Sequence, residues 1–161
     1  VKPETAQEYN LKTFSDLARV SDQMVISPTL EFTNRDDGLP GVMKKYDMDF
    51  KKVVAMDSSP RYIALMNGES DVVDAFATDG LLKKFDLTVL EDDQQFFPPY
   101  YAVPVIRSDV LEQYPELEDL LSQLGDTLTN EVMSDLNYQV DEEGKDPEAV
   151  AHDYLATHDL I

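Results

Sequence analysis

The chain has 161 residues, 42% of them hydrophobic, and its 33 acidic and 13 basic side chains give a formal net charge of −20. That length and apolar content suit one ordinary domain or two small lobes with a real core, and they exclude a disordered acidic tail. The charge excludes a nucleic-acid surface, which needs a basic footprint to replace counterions, and argues against binding anionic lipid head groups.

The acids are spread along the chain, as on a well-solvated surface; a weaker functional reading is a field that favours cationic or zwitterionic ligands. There is no cysteine, so disulfide frameworks, thiolate metal sites and cysteine nucleophiles are excluded. No run approaches the ~20 apolar residues of a membrane span, and the N-terminus lacks the basic and apolar regions of a signal peptide. Val1-Lys2-Pro3-Glu4 does not read as a natural start. The expectation is an excised part of a longer protein, with any export signal or anchor outside these residues.

In chain order, Glu4–Tyr9 reads as a short helix, and Leu11–Ala18 as another with Thr13 or Ser15 as its cap and Phe14, Leu17 and Ala18 on one face. Met24–Ser27 is a β run closed by Pro28, and Asn34–Gly38 is dense in turn formers. Pro40 sits where a first-turn proline belongs, ahead of a helix through Tyr46. Lys52–Met56 reads as a strand. Ser58 or Ser59 caps the next helix, with Pro60 near its first turn and Gly68 ending it in a left-handed conformation.

Asp71–Arg107 then changes character three times. Asp71–Phe76 is of strand length, Thr78 and Asp79 are natural caps for a helical turn over Leu81–Phe85, and Leu87–Leu90 is again strand-like. Phe96-Phe97-Pro98-Pro99-Tyr100-Tyr101 places four aromatics around a diproline, which can be neither helix interior nor central strand. Such a rigid connector suits a crossing between lobes, with ring faces turned to a cleft. Val103–Ile106 reads as an edge strand. Ser108–Gln113, Pro115–Leu124, Thr129–Leu136 and Pro147–His158 read as helices, with Leu117, Leu120, Leu121 and Leu124 as a buried stripe. The alternation of helix and strand up to Phe76 predicts a mainly parallel sheet covered by helices.

No catalytic constellation emerges. Asp36-Asp37, Asp92-Asp93 and Glu142-Glu143 are what so many acids produce anyway, and His152 and His158 lack the spacing that puts two rings on one helix face. Gly38-x-x-Gly41 lacks the further glycines of a dinucleotide loop and the lysine of a phosphate loop. No catalytic residue, metal ligand or cofactor is expected, and a binding module is favoured over an enzyme. The aromatics offer more. Phe76 closes a strand at the edge where open α/β sheets place ligands, and Tyr100 stands in the rigid crossing. Rings so placed can wall a quaternary ammonium, although most rings in such a chain pack a core, and Tyr62, Phe85 and Phe96 are assigned there.

The blocks Leu11–Ser21, Glu31–Val53, Ala77–Arg107 and Leu136–Asp141, in this order and spacing, resemble the substrate-binding proteins of glycine betaine/carnitine/choline ABC transporters over nearly the whole chain. The resemblance implies an α/β, type II periplasmic-binding-protein-like fold: a parallel-weighted sheet flanked by helices, then a helical C-terminal section. It implies residues 1–97 as the second lobe and residues 98–161 as the crossing and the C-terminal section returning toward a first lobe. It places cage tyrosines at the positions of Phe76 and Tyr100, with Tyr101 alongside, and a ligand-side turn at Thr78-Asp79-Gly80, for which helix capping is the alternative role. Phenylalanine at position 76 keeps the ring face and loses the hydroxyl.

The function so implied is capture of a quaternary ammonium osmolyte outside the cell for an ABC importer, at the membrane's outer face by lipid anchor or fusion to the transporter's membrane subunit, or in the periplasm. The alternative is a ligand-sensing effector domain of a transcriptional regulator on the same fold. Self-association is expected, through apolar surface of the Leu117–Leu124 stripe and Val103–Ile106.

Overall fold

The computed structural model describes residues 1–161. They divide into a first unit, Val1–Phe76 with Leu81–Pro98, and a second, Ala77–Gly80 with Pro99–Ile161.

In the first unit α1 (Pro3–Tyr9) ends at Asn10, which takes the left-handed conformation at φ 53°. Helix α2 (Phe14–Ala18) opens on a capping box: the Thr13 hydroxyl accepts from Asp16 N, and the Asp16 carboxylate accepts from Thr13 N. A 3-10 turn (Ser21–Gln23) leads into β1 (Val25–Ile26), followed by α3 (Leu30–Asn34), α4 (Leu39–Tyr46), β2 (Lys52–Val53) and α5 (Ser58–Met66). Pro40 sits in the first turn of α4 and Gly68 takes φ 76° after α5, both as expected. The cap of α5 is Asp57 rather than Ser58 or Ser59; Ser58 is already helical, and its hydroxyl accepts from Arg61 Nη1. Helix α6 (Gly80–Lys84) starts on the last residue of the turn 77–80.

β1 and β2 pair in parallel, Val25 with Lys52 and Ile26 with Val53, and Ile26 also bridges Val72 in parallel. The third expected strand is therefore one bridge rather than a ladder over Asp71–Phe76, because the backbone turns away after Val72 into side-chain contacts described below. Leu87–Leu90 forms no strand; the pairing nearby is a bridge between Thr13 and Glu91, whose loop partner between α1 and α2 is too short to extend it. The core of this unit gathers Leu11, Leu17, Met24, Ile26, Leu39, Val42, Tyr46, Met48, Phe50 and Val72. Tyr62, at 1% exposure, is buried as expected, Phe96 packs on the core, and Phe85 is only half-buried.

The second unit is helical: α7 (Ser108–Gln113), α8 (Glu116–Thr127), α9 (Asn130–Asp141) and α10 (Pro147–Thr157). Val103–Ile106 is not a strand. Pro104 cannot donate to a ladder, and Val103 and Val105 are 70% and 93% exposed. The α8 stripe is not buried either: Leu117, Leu121 and Leu124 are half-covered and Leu120 is exposed, since α8 packs mainly on the short α7. Helices α9 and α10 pack together, with Val150 buried and the Tyr154 hydroxyl donating to Thr127 O. No helix is long and apolar enough to cross a membrane.

Candidate functional site

Parallel pairing brings the segments that leave β1, β2 and Val72 to one edge, where ligands of open α/β sheets sit. Thr29 and Met56 bridge there, and Thr29 N and Oγ1 donate to the Asp74 carboxylate at 2.9 and 3.0 Å. Arg61 of α5 reaches the same point with its side chain 1% exposed. Its Nε donates to Asp74 O at 2.9 Å and lies 3.2 Å from Asp74 Oδ1, while its Nη1 donates to Ser58 O. Its guanidinium also stands 4.5 Å from the Tyr62 ring centre. Asp74 is thus held by both its main chain and its side chain, and this clamp replaces the missing ladder. Two residues later Phe76 is 62% exposed.

The expected connector divides at its prolines. Phe96 and Phe97 are not presented outward: they meet edge-to-face at 4.9 Å and pack on the first unit's core, with Phe97 also against Phe14 and Phe32. Asp92 fixes them, since its carboxylate accepts from Phe96 N and Phe97 N at 3.0 and 2.8 Å and from the Tyr46 hydroxyl. Burial and the bond to Asp92 push the Tyr46 hydroxyl up to about 12. Burial alone would raise the Asp92 carboxyl, but the donors Tyr46, Phe97 and Phe96 outweigh it and hold it below the usual carboxylate range. A depressed carboxyl stabilises the fold fully above its unfolded value of about 4, and this is lost as pH falls through the lower folded value. Asp92→Asn is therefore expected to lose on the order of 1 kcal/mol at pH 7 and to flatten the acid decline below about pH 4. Urea midpoints at the two pH values check it; parallel declines would count against this hub.

Beyond Pro99, in the second unit, Tyr100 and Tyr101 are 61% and 80% exposed. The turn Ala77–Gly80 belongs to that unit as well. Thr78 and Asp79 are half-buried, and their carbonyls accept from Asn137 Nδ2 at 2.9 Å and Ser134 Oγ at 3.4 Å, both on α9. Gly80 is required by this approach: a Cβ there would lie 2.8 Å from Tyr138 N and Cα. Of the five expected residues, Thr78, Asp79, Tyr100 and Tyr101 fall in the second unit and Phe76 in the first. None of the five lines either of two grooves in the second unit, one of 470 Å³ between α9 and α10 and one of 420 Å³ beside Ile106, Leu111 and Leu121.

Sequence reasoning missed the clamp of Arg61, Asp74 and Thr29, whose members lie far apart in the chain. Asn137 stood inside the Leu136–Asp141 block without an assigned part. Arg35 also went unremarked within its turn; it is half-exposed, with Nη1 donating to Glu31 at 2.7 Å and Nε and Nη2 to Asp37 at 2.8 and 2.6 Å. These two carboxylates raise the Arg35 guanidinium, and Arg35 in turn lowers the Asp37 carboxyl.

A small parallel sheet with irregular segments at its carboxyl edge, among helices, defines an α/β fold of the periplasmic-binding-protein type. The chain belongs to the family described as the substrate-binding domain of ABC-type glycine betaine transport systems, whose profile matches residues 1–157. It is 39% identical over 155 residues to the ergothioneine transport permease/ergothioneine binding protein EgtU of Helicobacter pylori, covering 96% of this chain and 28% of that protein. It is 35% identical over 156 residues to the carnitine transport binding protein OpuCC of Listeria monocytogenes, covering 96% and 51%. A crystal structure described as a glycine betaine/carnitine/choline ABC transporter superposes with a TM-score of 0.88 at 39% identity, covering 99% of this chain and 59% of that one. The chain thus spans from about a quarter to just under three fifths of the length of these relatives.

Proposed function

We propose that this chain captures a trimethylammonium osmolyte outside the cytoplasm for an ABC importer, and performs no chemistry on it. The observation that carries the reading is the family match over residues 1–157. Ergothioneine, carnitine, glycine betaine and choline, the compounds in the names of the similar proteins, share a trimethylammonium head, and the first three add a carboxylate. The partners are then the osmolyte and the transporter's membrane subunit, and the place is the outer face of the membrane, by lipid anchor or fusion, or the periplasm. The three similar proteins described above are named for transport, and none of these names favours the effector-domain alternative. Phe76 and Tyr100 each serve as a cation–π wall for the head group, with Tyr101, Thr78 and Asp79 completing the ligand contacts. In support, these two rings are exposed in a protein that packs Phe14, Tyr46, Phe96 and Phe97 against a core. We also propose that the chain associates with a second copy through Val103, Val105 and Leu120, all exposed.

Phe76→Ala and Tyr100→Ala are each expected to weaken choline binding by roughly 0.5–2 kcal/mol, with thermal stability nearly unchanged because both rings are already exposed. Calorimetric titration tests this, and unaltered affinity in both folded variants would remove the two rings from the site. Phe76→Tyr is expected to shift preference among ligands bearing a carboxylate or hydroxyl and to leave tetramethylammonium unaffected.

A further inference from the structure

The main chain leaves the first unit at Phe76 and rejoins it at Leu81, and the four residues between belong to the second unit. Their backbone has no strand or long helix to hold it. The hold comes from one face of α9, where residues 134 and 137 are three apart and so adjacent. Asn137 Nδ2 donates to Thr78 O at 2.9 Å and Ser134 Oγ to Asp79 O at 3.4 Å. Immediately after Asn137 the α9 backbone touches the turn itself, because a Cβ on Gly80 would meet Tyr138 N and Cα at 2.8 Å. The helix that carries these groups is well fixed. Thr129 caps it by accepting from Val132 N, α10 packs along it, and Lys145 N donates to Gln139 O near its end.

We propose that Asn137, assisted by Ser134, is a positioning residue for the ligand-facing turn Thr78-Asp79-Gly80, an inference that rests on the ligand role proposed for that turn. Two successive carbonyls tied to a rigid helix fix the peptide planes on either side of the Asp79 Cα. The directions of the Thr78 hydroxyl and the Asp79 carboxylate are thereby set before ligand arrives. An untied turn has to be ordered by the ligand, which lowers affinity without removing any contact seen in the bound state. Asparagine is also a poor residue for a helix interior, so its place mid-way along α9 is not explained by helix formation.

The test is a double-mutant cycle on the full chain, with choline and glycine betaine titrated by calorimetry and unfolding followed in parallel. Asn137→Ala is expected to raise Kd by about tenfold while the unfolding midpoint moves by no more than about 3 °C. In a Thr78→Ala, Asp79→Ala background the same change is expected to raise Kd less than about twofold, since both groups being positioned are gone. Asn137→Asp, which keeps the size and loses the amide donor, is expected to behave like Asn137→Ala. An unchanged Kd in Asn137→Ala with a lowered midpoint would show a merely structural residue and overturn the inference. An equal effect of Asn137→Ala in both backgrounds would overturn it too. If Asp79→Ala and Thr78→Ala leave Kd unaltered while Phe76→Ala raises it, the turn is not ligand-facing: the inference fails and the osmolyte reading survives.

Discussion

Raising KCl from about 0.01 M to about 1 M is expected to raise the thermal midpoint of this protein by roughly 10–20 °C. Its excess of 20 negative charges makes on the order of 200 like-charge pairs, each worth ~0.1–0.2 kcal/mol in water at separations of some tens of Å. Folding brings those charges closer. The screening length shrinks from about 30 Å to about 3 Å across this salt range, so the repulsion is only partly screened at one end and nearly gone at the other. Net of the unfolded chain's own repulsion and of counterion binding, on the order of 5 kcal/mol of stability is salt-dependent, and ~1 kcal/mol moves the midpoint of a chain this long by about 2–4 °C. Circular dichroism melts in KCl and in sucrose separate screening from general exclusion effects. A midpoint constant to within about 2 °C across the KCl series would show that local ion pairs already compensate the charge.

Asp74→Ala is expected to cost about 3–5 kcal/mol, because it leaves the Arg61 guanidinium buried without its carboxylate. Thr29 N and Oγ1 lose their acceptor at the same time. The double variant Arg61→Leu, Asp74→Ala is expected to be more stable than Asp74→Ala alone, since a buried ion pair replaced on both sides loses its desolvation cost along with its attraction. Urea denaturation reads both, with a midpoint drop of roughly 1–3 M for the single variant. A single variant within about 0.5 kcal/mol of wild type would mean that the clamp does not hold this edge of the sheet.

Most helices were legible because their signals are local, although α3 (Leu30–Asn34) was not read and α9 runs past Leu136 to Asp141. Thr13, Pro40, Gly68 and Pro147 each act within one turn, and the elements they bound lie where those residues place them. Strands were legible only where a partner exists. Leu87–Leu90 and Val103–Ile106 have the composition of strands, and the structure gives them no ladder. The apolar period of α8 was plain, but burial depends on what packs against it, and period alone does not supply that. Among the aromatics, Phe76 and Tyr100 are exposed, whereas Phe96 and Phe97 carry the same aromatic signal and are packed. What fixes the candidate residues was not legible. Asp74 meets Thr29 across 45 positions and Asn137 meets Thr78 across 59, and no local pattern links such pairs.

The most direct measurement compares choline with its neutral carbon isostere, in which a tert-butyl group replaces the trimethylammonium, by calorimetric titration of this protein. The two heads have the same shape and nearly the same apolar surface, so their difference isolates the cation. The two proposed aromatic walls, at roughly 0.5–2 kcal/mol each, give an expected preference for choline of at least about fivefold, falling toward unity in the Phe76→Ala, Tyr100→Ala double variant. Equal affinity for the charged and neutral compounds in the unaltered protein would contradict the central claim that this chain holds its ligand by a quaternary ammonium head.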